Sequence, residues 1–451
     1  MKRTITAFAL FAILLAGLLA GCGVDTPDGP NVVLTGDAQF KTYVAIGNSL
    51  TAGYMDGGLV VDGQLGSYPS LIARQMGYTV GVSSSATFTQ PYLLRPGVGT
   101  TSTGNPAVTA GVLHWTGSTV ALLGTTPTAS VPALAVMATL PAPYGNLGVP
   151  GATTLDVHQA LTHVNSQAPG NAYFDLILRN PTFGNVTMRE QAIHKKPTVM
   201  TVWIGNNDIL GGATGGNPVV GVNITPTPYF AALFDSLLAR IQHGVTEVAG
   251  LPPVIVAANI PSITDIPYFV PKALFDGAAG GAIPTVESDV VYVRFPALGY
   301  LAGGGPLPLP SEWTLTQSEV DAVTGAVDAY NAQIAAICAA RGVGLMDAHA
   351  LLAAVTAGEF APLTGGHYAL GYVHTVFSLD GVHPNNIGYG LVANAWIDAI
   401  NTAAGTALAH VDVSALAWDP TYGVSEEAAK ASSGTARITA DAAAALDGMF
   451  R

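Results

Sequence analysis

Four short stretches of the sequence combine small residues with side chains that could take part in acyl transfer. They are Gly47–Leu50, Gly148–Thr153, Gly205–Asp208 and Asp380–Pro384. Hydrolysis of an ester through an acyl-enzyme requires a nucleophile, a general base, a group that orients the base, and donors for the oxyanion. The residue types in these four stretches can supply every one of these roles.

The individual roles follow from the chemistry of the side chains. Ser49 carries a hydroxyl that can act as the nucleophile, and His383 is the histidine that lies within a turn-rich motif. An unperturbed imidazole titrates near pH 6.5 and therefore suits a base at about neutral pH. Asp380, three residues earlier, can reach back to this imidazole within one loop. The backbone amides of Ser49 and Gly151 and the side-chain amide of Asn207 can donate to an oxyanion, where one donor typically contributes about 3 kcal/mol.

The elements that would position these residues alternate between strands and helices. Apolar, β-branched segments predict buried strands at 42–46, 198–204 and 254–258, and a short last strand is predicted at 344–346. Amphipathic spacing predicts helices at 68–76, 228–248, 317–340 and 386–400. This alternation favours an α/β fold with a parallel sheet, in which residues that follow different strands meet at one edge. We expect Thr154 or Asp156 near the N-cap of a further helix.

Two long segments interrupt this pattern. Residues 83–144 are rich in Thr, Gly, Ser, Pro and Val and predict short strands and loops, and residues 265–315 lack a regular signal. Phe88, Tyr92 and Trp115 could form an apolar wall for an acyl group, or a small core within the first insertion. We favour the small core, because an insertion of this size must bury apolar surface of its own.

The composition excludes some classes of function. The 451 residues are 49% hydrophobic and only 10% charged, which predicts an ordered globular protein. The formal net charge is −13, so the chain lacks the excess of Lys and Arg that binding to nucleic acid requires. We therefore expect no nucleic-acid partner.

The N-terminus has the pattern of a secretory signal peptide. A basic start is followed by an apolar segment at 4–19, which is shorter than the ~20 residues of a membrane span. The segment Leu19–Cys22 resembles the lipobox of bacterial lipoproteins, which implies a signal peptide at 1–21, lipidation of Cys22 and a tether at 22–39. No Asp follows Cys22, so the rules of that class favour the outer membrane. Cys338 would then be the remaining cysteine, and its apolar surroundings predict a core position.

Taken together, the four stretches resemble the conserved blocks of the SGNH/GDSL hydrolase family, from about residue 42 to residue 400. The resemblance implies a flavodoxin-like three-layer α/β/α sandwich at 40–405 and a C-terminal tail at 406–451. It assigns Ser49 as the nucleophile, His383 as the base and Asp380 as its partner. It also places Gly151 and Asn207 in the oxyanion hole, together with the amide of Ser49.

One residue departs from the family pattern. Asn48 stands where the family usually has Asp, which keeps the shape of the side chain but removes its charge. The G-x-S-x-G elbow of conventional α/β-hydrolases is absent, because Thr51 occupies the position of its second glycine. No motif for a metal, nucleotide or flavin is present, so we expect no cofactor.

The resemblance favours a lipase or esterase that acts on a small ester or a lipid, and two alternatives stay open. A polysaccharide O-deacetylase would need an open cleft, whereas a lipase would need an apolar slot. A non-catalytic surface lipoprotein would keep the fold as a binding scaffold, and Asn48 is the feature in its favour.

Several other polar residues have structural interpretations. Asp208 is predicted to order its own loop, and Asp56 to form a turn. His158 and His163 are five residues apart, which is the wrong spacing for a metal site on a helix. His367 and His374 precede Asp380 and are predicted to lie on the surface, although they could line the pocket.

Overall fold

The computed structural model describes residues 32–33, 39–99, 107–116, 119–168, 170–360, 376–416 and 437–449. The predicted signal peptide, Cys22, most of the tether, His367 and His374 lie outside the described residues.

A four-stranded parallel sheet forms the centre of the protein. Its strands are β1 (Tyr43–Gly47), β2 (Val199–Trp203), β3 (Val254–Ala258) and β4 (Gly344–Met346), in the spatial order β4-β3-β2-β1. Residues 145–149 lie along the free side of β1, where Leu147 N–H donates to Ala45 O (2.8 Å) and Val149 N–H to Gly47 O (3.0 Å). The strands predicted from the sequence are therefore confirmed, with ends that differ by at most one residue.

Helices cover both faces of this sheet. On one face, Ala45 and Trp203 pack against helices Tyr68–Gln75 and Asn386–Ala404. On the other face, neighbouring strand residues such as Val44 pack against helices Thr154–Gln159, Met188–His194, Thr227–Ala249 and Gln317–Arg341. Because side chains alternate between the two faces of a strand and both faces are covered, nearly every strand residue is apolar. The predicted three-layer α/β/α sandwich is confirmed.

Capping residues fix the ends of several helices. Thr316 and Glu319 form a capping box at the start of helix Gln317–Arg341, and Gly342 ends it with φ 65°. In helix Thr154–Gln159 the N-cap is Thr153, with Asp156 at the third position of the box. The prediction that Thr154 or Asp156 lies near this N-cap is confirmed, since they are the first and third helical residues after Thr153, whose hydroxyl accepts the Asp156 N–H.

The remaining elements are short. The helices are Ser49–Ala52, Val61–Gly66, Tyr173–Leu178, Asn207–Thr214, Lys272–Ala278, Ala297–Ala302, Ala348–Thr356 and Ala440–Gly448, with 3-10 turns at Thr128–Leu134, Ser311–Trp313 and Val413–Ala415. The strands outside the central sheet are Val32–Val33, Gln39–Phe40, Val108–Ala110, Leu113–Trp115, Thr119–Leu122, Thr125–Pro127, Phe269–Pro271, Val290–Arg294, Thr314–Thr316 and Arg437–Ile438.

A further apolar cluster is built mainly from three segments that are far apart in sequence, with Leu379 as an additional buried member, and we call it the three-segment cluster. Its buried members include Leu113, Trp115 and Val120 from the first insertion, Val270, Phe275, Val293, Phe295 and Trp313 from the second, and Ile438, Ala442 and Leu446 from the tail. Strand Arg437–Ile438 pairs in parallel with Thr119–Leu122. The segment 265–315, which lacks a regular pattern in the sequence, contributes most of an antiparallel three-stranded sheet and two helices.

The aromatic residues of the first insertion do not form the separate core that we expected. Trp115 belongs to the three-segment cluster, whereas the ring of Phe88 stacks on Tyr43 of β1 with a centroid distance of 5.3 Å. Tyr92 is fully buried. Phe88 and Trp115 are therefore buried partly by residues from outside the insertion.

Cys338 lies on helix Gln317–Arg341 and faces the sheet, where it is 1% exposed, as the sequence predicted. Burial raises the pKa of its thiol to about 12.

Of the helices that the structure describes, none combines the length and apolarity that are needed to cross a membrane.

Candidate active site

Ser49 lies directly beyond the carboxyl end of β1. It begins the short helix Ser49–Ala52, whose N-cap Asn48 accepts a hydrogen bond from Leu50 N–H (3.1 Å). Gly47, which ends the strand, has no room for a side chain, because a Cβ there would lie 2.3 Å from the carbonyl oxygen of Trp203. The tight strand-to-helix turn predicted from the sequence therefore depends on a glycine at position 47.

The structure brings Ser49, His383 and Asp380 together in one hydrogen-bonded chain. His383 Nε2 lies 2.8 Å from Ser49 Oγ, and His383 Nδ1 lies 2.9 Å from Asp380 Oδ2. Asp380 is fully buried, and the exposed fractions of His383 and Ser49 are 3% and 9%. A serine whose hydroxyl contacts a carboxylate-oriented imidazole can be deprotonated as it attacks a carbonyl carbon.

The carboxylate of Asp380 is held in its ionised form. Burial by itself would raise the pKa of Asp380, but the neighbouring His383 ring and hydrogen bonds to the carboxylate lower it below the ordinary value. The donors include the backbone amides of Val382 and His383 (both 2.8 Å) and of Gly57 (3.0 Å). An ionised carboxylate at this position stabilises an imidazolium and fixes the tautomer of the neutral ring.

Asp56 helps to hold the turn that carries Asp380 and His383, a role that the sequence interpretation missed. Its side chain is 1% exposed and accepts a hydrogen bond from Leu379 N–H (2.8 Å), while its own N–H donates to Ser378 Oγ (2.9 Å). The predicted turn is present, since Asp56 has a φ of 55°. The signal that could have pointed to a further role is a carboxylate within an otherwise apolar segment, shortly after the serine.

The proposed oxyanion donors lie on the two loops next to Ser49. Gly151 has a φ of 79°, and its N–H has no acceptor within the described part of the chain. Asn207 lines the same cavity as Ser49 and donates one side-chain hydrogen to Ala152 O (2.8 Å), which leaves its second hydrogen for a substrate. Asn207 also ties its own loop to the loop of Gly151.

Asp208 makes a second link between these two loops. Its carboxylate accepts hydrogen bonds from the backbone N–H (2.8 Å) and the hydroxyl (3.0 Å) of Thr154. The prediction that Asp208 orders its own loop was too narrow, because its partner belongs to the helix that follows Gly151. Burial raises the pKa of Asp208 to about 6, although the hydrogen bonds from Thr154 oppose this shift.

Asn48, the residue that departs from the family pattern, contacts the same region. Its Nδ2 donates to Asn206 Oδ1 (2.9 Å), and both side chains are buried. A carboxylate at position 48 would have no hydrogen to donate to that oxygen. The asparagine therefore matches the orientation of Asn206.

An apolar cavity of about 110 Å³ opens beside Ser49 and His383. Aliphatic and aromatic side chains from several loops and helices form most of its wall. They include Leu50, Trp203, Leu210, Ile263, Ile266, Leu351, Leu352, Val355, Val376, Phe377, Val382, Leu391 and Val392. A site of this composition favours an apolar group next to the reacting serine.

Within the described part of the chain, no histidine other than His383 lines this cavity. His158 Nε2 contacts Leu233 O (2.9 Å), and His163 Nδ1 lies 2.5 Å from Asp175 Oδ2. Within the described ranges, no group of three or more His, Cys, Asp or Glu side chains is arranged to hold a metal ion.

Comparison with known families gives one match that covers most of the chain. The family model of GDSL-like lipase/acylhydrolases matches residues 43–396. This range contains all four chemical stretches and ends before the C-terminal helix Ala440–Gly448. A comparison with curated proteins found no match.

Solved structures with similarity to this chain are distant. One, described as a GDSL-like lipase from Parabacteroides merdae, is 14% identical, with 82% of this chain and 98% of the other covered and a TM-score of 0.33. An alpha/beta hydrolase enzyme from the metagenome of Lake Arreo is 14% identical, with coverages of 84% and 98% and a TM-score of 0.34. A mutant of an acetyl-xylooligosaccharide esterase from Geobacillus Stearmophilus is 14% identical, with coverages of 82% and 96% and a TM-score of 0.34.

Proposed function

The chain belongs to the GDSL-like lipase/acylhydrolase family, and from that premise we propose that it hydrolyses carboxylic esters through an acyl-enzyme formed on Ser49. The observation that carries the proposal is the hydrogen-bonded chain from Ser49 Oγ through His383 to the buried Asp380, at the mouth of an apolar cavity. No metal or cofactor has a step in this mechanism.

In the acylation step, Ser49 Oγ attacks the carbonyl carbon of the ester while its proton passes to His383 Nε2, which lies 2.8 Å away. The resulting imidazolium is stabilised by Asp380, and it then donates the proton to the departing alcohol oxygen. The carbon–oxygen bond to the alcohol breaks, and the acyl group stays on Ser49.

The negative charge of the tetrahedral intermediate develops on the former carbonyl oxygen. The amides of Ser49 and Gly151 and the second side-chain hydrogen of Asn207 are the donors that we assign to it. In the deacylation step, His383 takes a proton from water as the water attacks the acyl carbon, and then returns that proton to Ser49 Oγ. The enzyme is thereby restored, and one ester and one water yield an acid and an alcohol.

The composition of the cavity supports an apolar acyl group. Each methylene that leaves water for an apolar wall contributes about 0.8 kcal/mol of binding free energy. An acetyl group has too little apolar surface to gain much from walls such as Leu352 and Val355. This favours a lipase or esterase over the polysaccharide O-deacetylase, and the contact between Ser49 and His383 disfavours a non-catalytic scaffold.

The experiment that tests this proposal is the hydrolysis of p-nitrophenyl esters from acetyl to palmitoyl by a soluble form that begins after residue 22. We expect kcat/KM to rise from acetyl to a longer acyl chain and then to fall when the chain exceeds the cavity. The substitution Val355→Trp, which fills part of the cavity wall, should move the preferred chain length downward, whereas the exposed Val222→Trp should not. A folded protein that hydrolyses none of these esters would contradict the proposal.

We also propose that Cys22 carries a lipid that anchors the protein to the bacterial envelope, most naturally at the outer membrane. Support comes from the sequence of Leu19–Cys22 and the basic and apolar residues before it. Metabolic labelling with a clickable fatty acid should label the full chain, and Cys22→Ser should abolish the label and release the protein from the membrane fraction. Labelling that persists in Cys22→Ser would contradict the assignment.

A further inference from the structure

The C-terminal helix Ala440–Gly448 lies beyond residue 396, where the match to the family ends, yet it contacts the surroundings of the Asp380–His383 turn by three routes. The first route is an ion pair. Arg294 Nη2 lies 2.6 Å from Asp447 Oδ1, and the side chains of Arg294 and Asp447 are 2% and 17% exposed. A buried guanidinium depends strongly on such a partner, because removal of one member leaves an uncompensated charge.

Arg294 transmits this contact to the turn through Tyr268. Its Nη2 also donates to the hydroxyl of Tyr268 (2.9 Å), which is fully buried. The backbone N–H of Tyr268 in turn donates to the carbonyl oxygen of Gly381 (2.9 Å), the residue next to Asp380. Gly381 has a φ of 71°, and a Cβ there would lie 3.1 Å from Tyr268 N, so the two backbones are closely packed.

The second route passes through Leu446, which is 1% exposed. A Cβ at Gly57 would lie within 3.9 Å of Leu446 Cδ2, so the side chain of Leu446 lies close to the Gly57 backbone. The N–H of Gly57 donates to Asp380 Oδ2 (3.0 Å), the same oxygen that contacts His383. Leu446 therefore supports one of the donors that hold the carboxylate.

The third route passes through Met449, at the end of the helix. Met449 packs against the apolar cluster that contains Tyr54 and Leu59. The ring of Tyr54 lies against the imidazole of His383, with a centroid distance of 4.7 Å. The three routes thus lead to three different parts of the same constellation: the Gly381 backbone, the Asp380 carboxylate and the His383 ring.

We propose that the C-terminal helix is a positioning element of the active site, and that the Asp447–Arg294 ion pair is its principal link to the Asp380–His383 turn. This inference rests on the proposed function of that turn. Asp447 and Arg294 act through other residues and contact no substrate. A displacement of a reacting group by about 1 Å can lower a rate 100-fold, so a loosened turn would lower turnover without an effect on substrate binding.

The test compares Asp447→Ala with a control at a second, more exposed Asp–Arg pair, Asp235→Ala, in the full mature chain. Asp235 also pairs with an arginine, Arg341, by two contacts of 2.6 Å that join two helices, and neither residue lines the cavity beside Ser49. We expect Asp447→Ala to lower kcat by roughly 10- to 100-fold with little change in KM. Asp235→Ala should lower the melting temperature and leave kcat and KM unchanged.

A second readout is independent of ester hydrolysis. A proton between His383 Nδ1 and Asp380 Oδ2 should give a low-field resonance in proton NMR, which His383→Ala would identify. We expect Asp447→Ala to shift or broaden this resonance, and Asp235→Ala to leave it in place. This readout stays informative if wild-type protein hydrolyses no ester, so the failure of the proposed function and the failure of this inference are distinguishable.

The proposal would be overturned if Asp447→Ala retained the wild-type kcat and the low-field resonance while only its melting temperature fell. Where Asp447→Ala does not fold, Asp447→Asn retains the shape of the side chain and is measured in its place. Asp447→Asn should show the same selective loss of kcat in a smaller degree, and wild-type values for both readouts would overturn the proposal equally.

Discussion

The serine side and the Asp–His side of the site are positioned by different parts of the molecule. Ser49 follows β1 of the central sheet, and its turn is fixed by backbone contacts of β1 with β2 and with residues 145–149. The Asp380–His383 turn lies far from the sheet strands in sequence and is held by Asp56, Gly57 and Tyr268, which come from loops. The nucleophile thus depends on the central sheet, whereas the base depends on contacts with loops outside that sheet.

Removal of the reacting group on either side should have the greatest effect on turnover. Ser49→Ala and His383→Ala should each lower kcat by roughly 10⁴- to 10⁶-fold, because the two groups act as a unit. Both variants should keep the melting temperature of wild type to within a few degrees, which circular dichroism can check. If one variant retained a much higher kcat than the other, the assumption that Ser49 and His383 act in one mechanism would be wrong.

The next prediction concerns the serine side, where the titration of Asp208 should make the free energy of unfolding depend on pH. The pKa of Asp208 is raised to about 6 from an ordinary 3.8, so folding favours the protonated carboxyl. Its contribution to stability is therefore complete below about pH 4 and is lost as pH rises through 6, a change of about 3 kcal/mol. Asp208→Asn keeps an acceptor for Thr154 and should remove this part of the pH dependence, as measured by urea unfolding at several pH values.

Two other carboxylates, those of Asp156 and Asp380, also contribute to the pH dependence of stability. The pKa of Asp156 is also raised by burial, so some loss of stability in the same pH window should persist in Asp208→Asn. The pKa of Asp380 is lowered, so its contribution is present above about pH 4 and is lost only at more acid pH. The exposed Asp328→Asn serves as the control, and an identical pH profile in Asp208→Asn and wild type would contradict the prediction.

On the Asp–His side, Asp56→Ala should lower both stability and turnover. The substitution leaves the buried Leu379 N–H without its acceptor, which costs about 1–3 kcal/mol. Because the amide belongs to the residue before Asp380, we also expect kcat to fall by roughly tenfold, with Asp56→Asn intermediate. Unchanged kcat in a destabilised Asp56→Ala would show that the turn does not depend on this contact.

The smallest effect tests the departure at position 48. Asn48→Ala removes the N-cap of helix Ser49–Ala52 and the contact with Asn206, and should cost about 1 kcal/mol of stability. Because the turn is also fixed by the sheet, we expect kcat to stay within about tenfold of wild type. A loss of kcat as large as that of Asp56→Ala would show that the serine side needs its side-chain contacts as much as the base side does.

The same contrast explains what the sequence could predict. Strands β1, β2 and β3 are buried on both faces, so their apolar, β-branched residues mark them without knowledge of any neighbour. Gly47 and Ser49 lie next to such a strand, and their place at the sheet edge follows directly from it. Asp380 and His383 could be recognised as a pair because they lie only three positions apart, within one turn.

The supports of that turn could not be predicted in this way. Trp115, Phe295 and Leu446 meet in the three-segment cluster although more than 100 residues separate each from the next. The helix Ala440–Gly448 consists largely of alanine, so its sequence shows little of the face that it buries. Asp56 has the appearance of an ordinary turn residue, and only the structure shows which distant amide it contacts.

The buried thiol of Cys338 can report when helix Gln317–Arg341 separates from the sheet. In a soluble form that begins after residue 22, it is the single cysteine, and in the folded state it is both inaccessible and protonated at neutral pH. A thiol reagent can therefore modify the chain only when helix Gln317–Arg341 separates from the sheet. The rate of modification under native conditions would give the free energy of that separation with no introduced label.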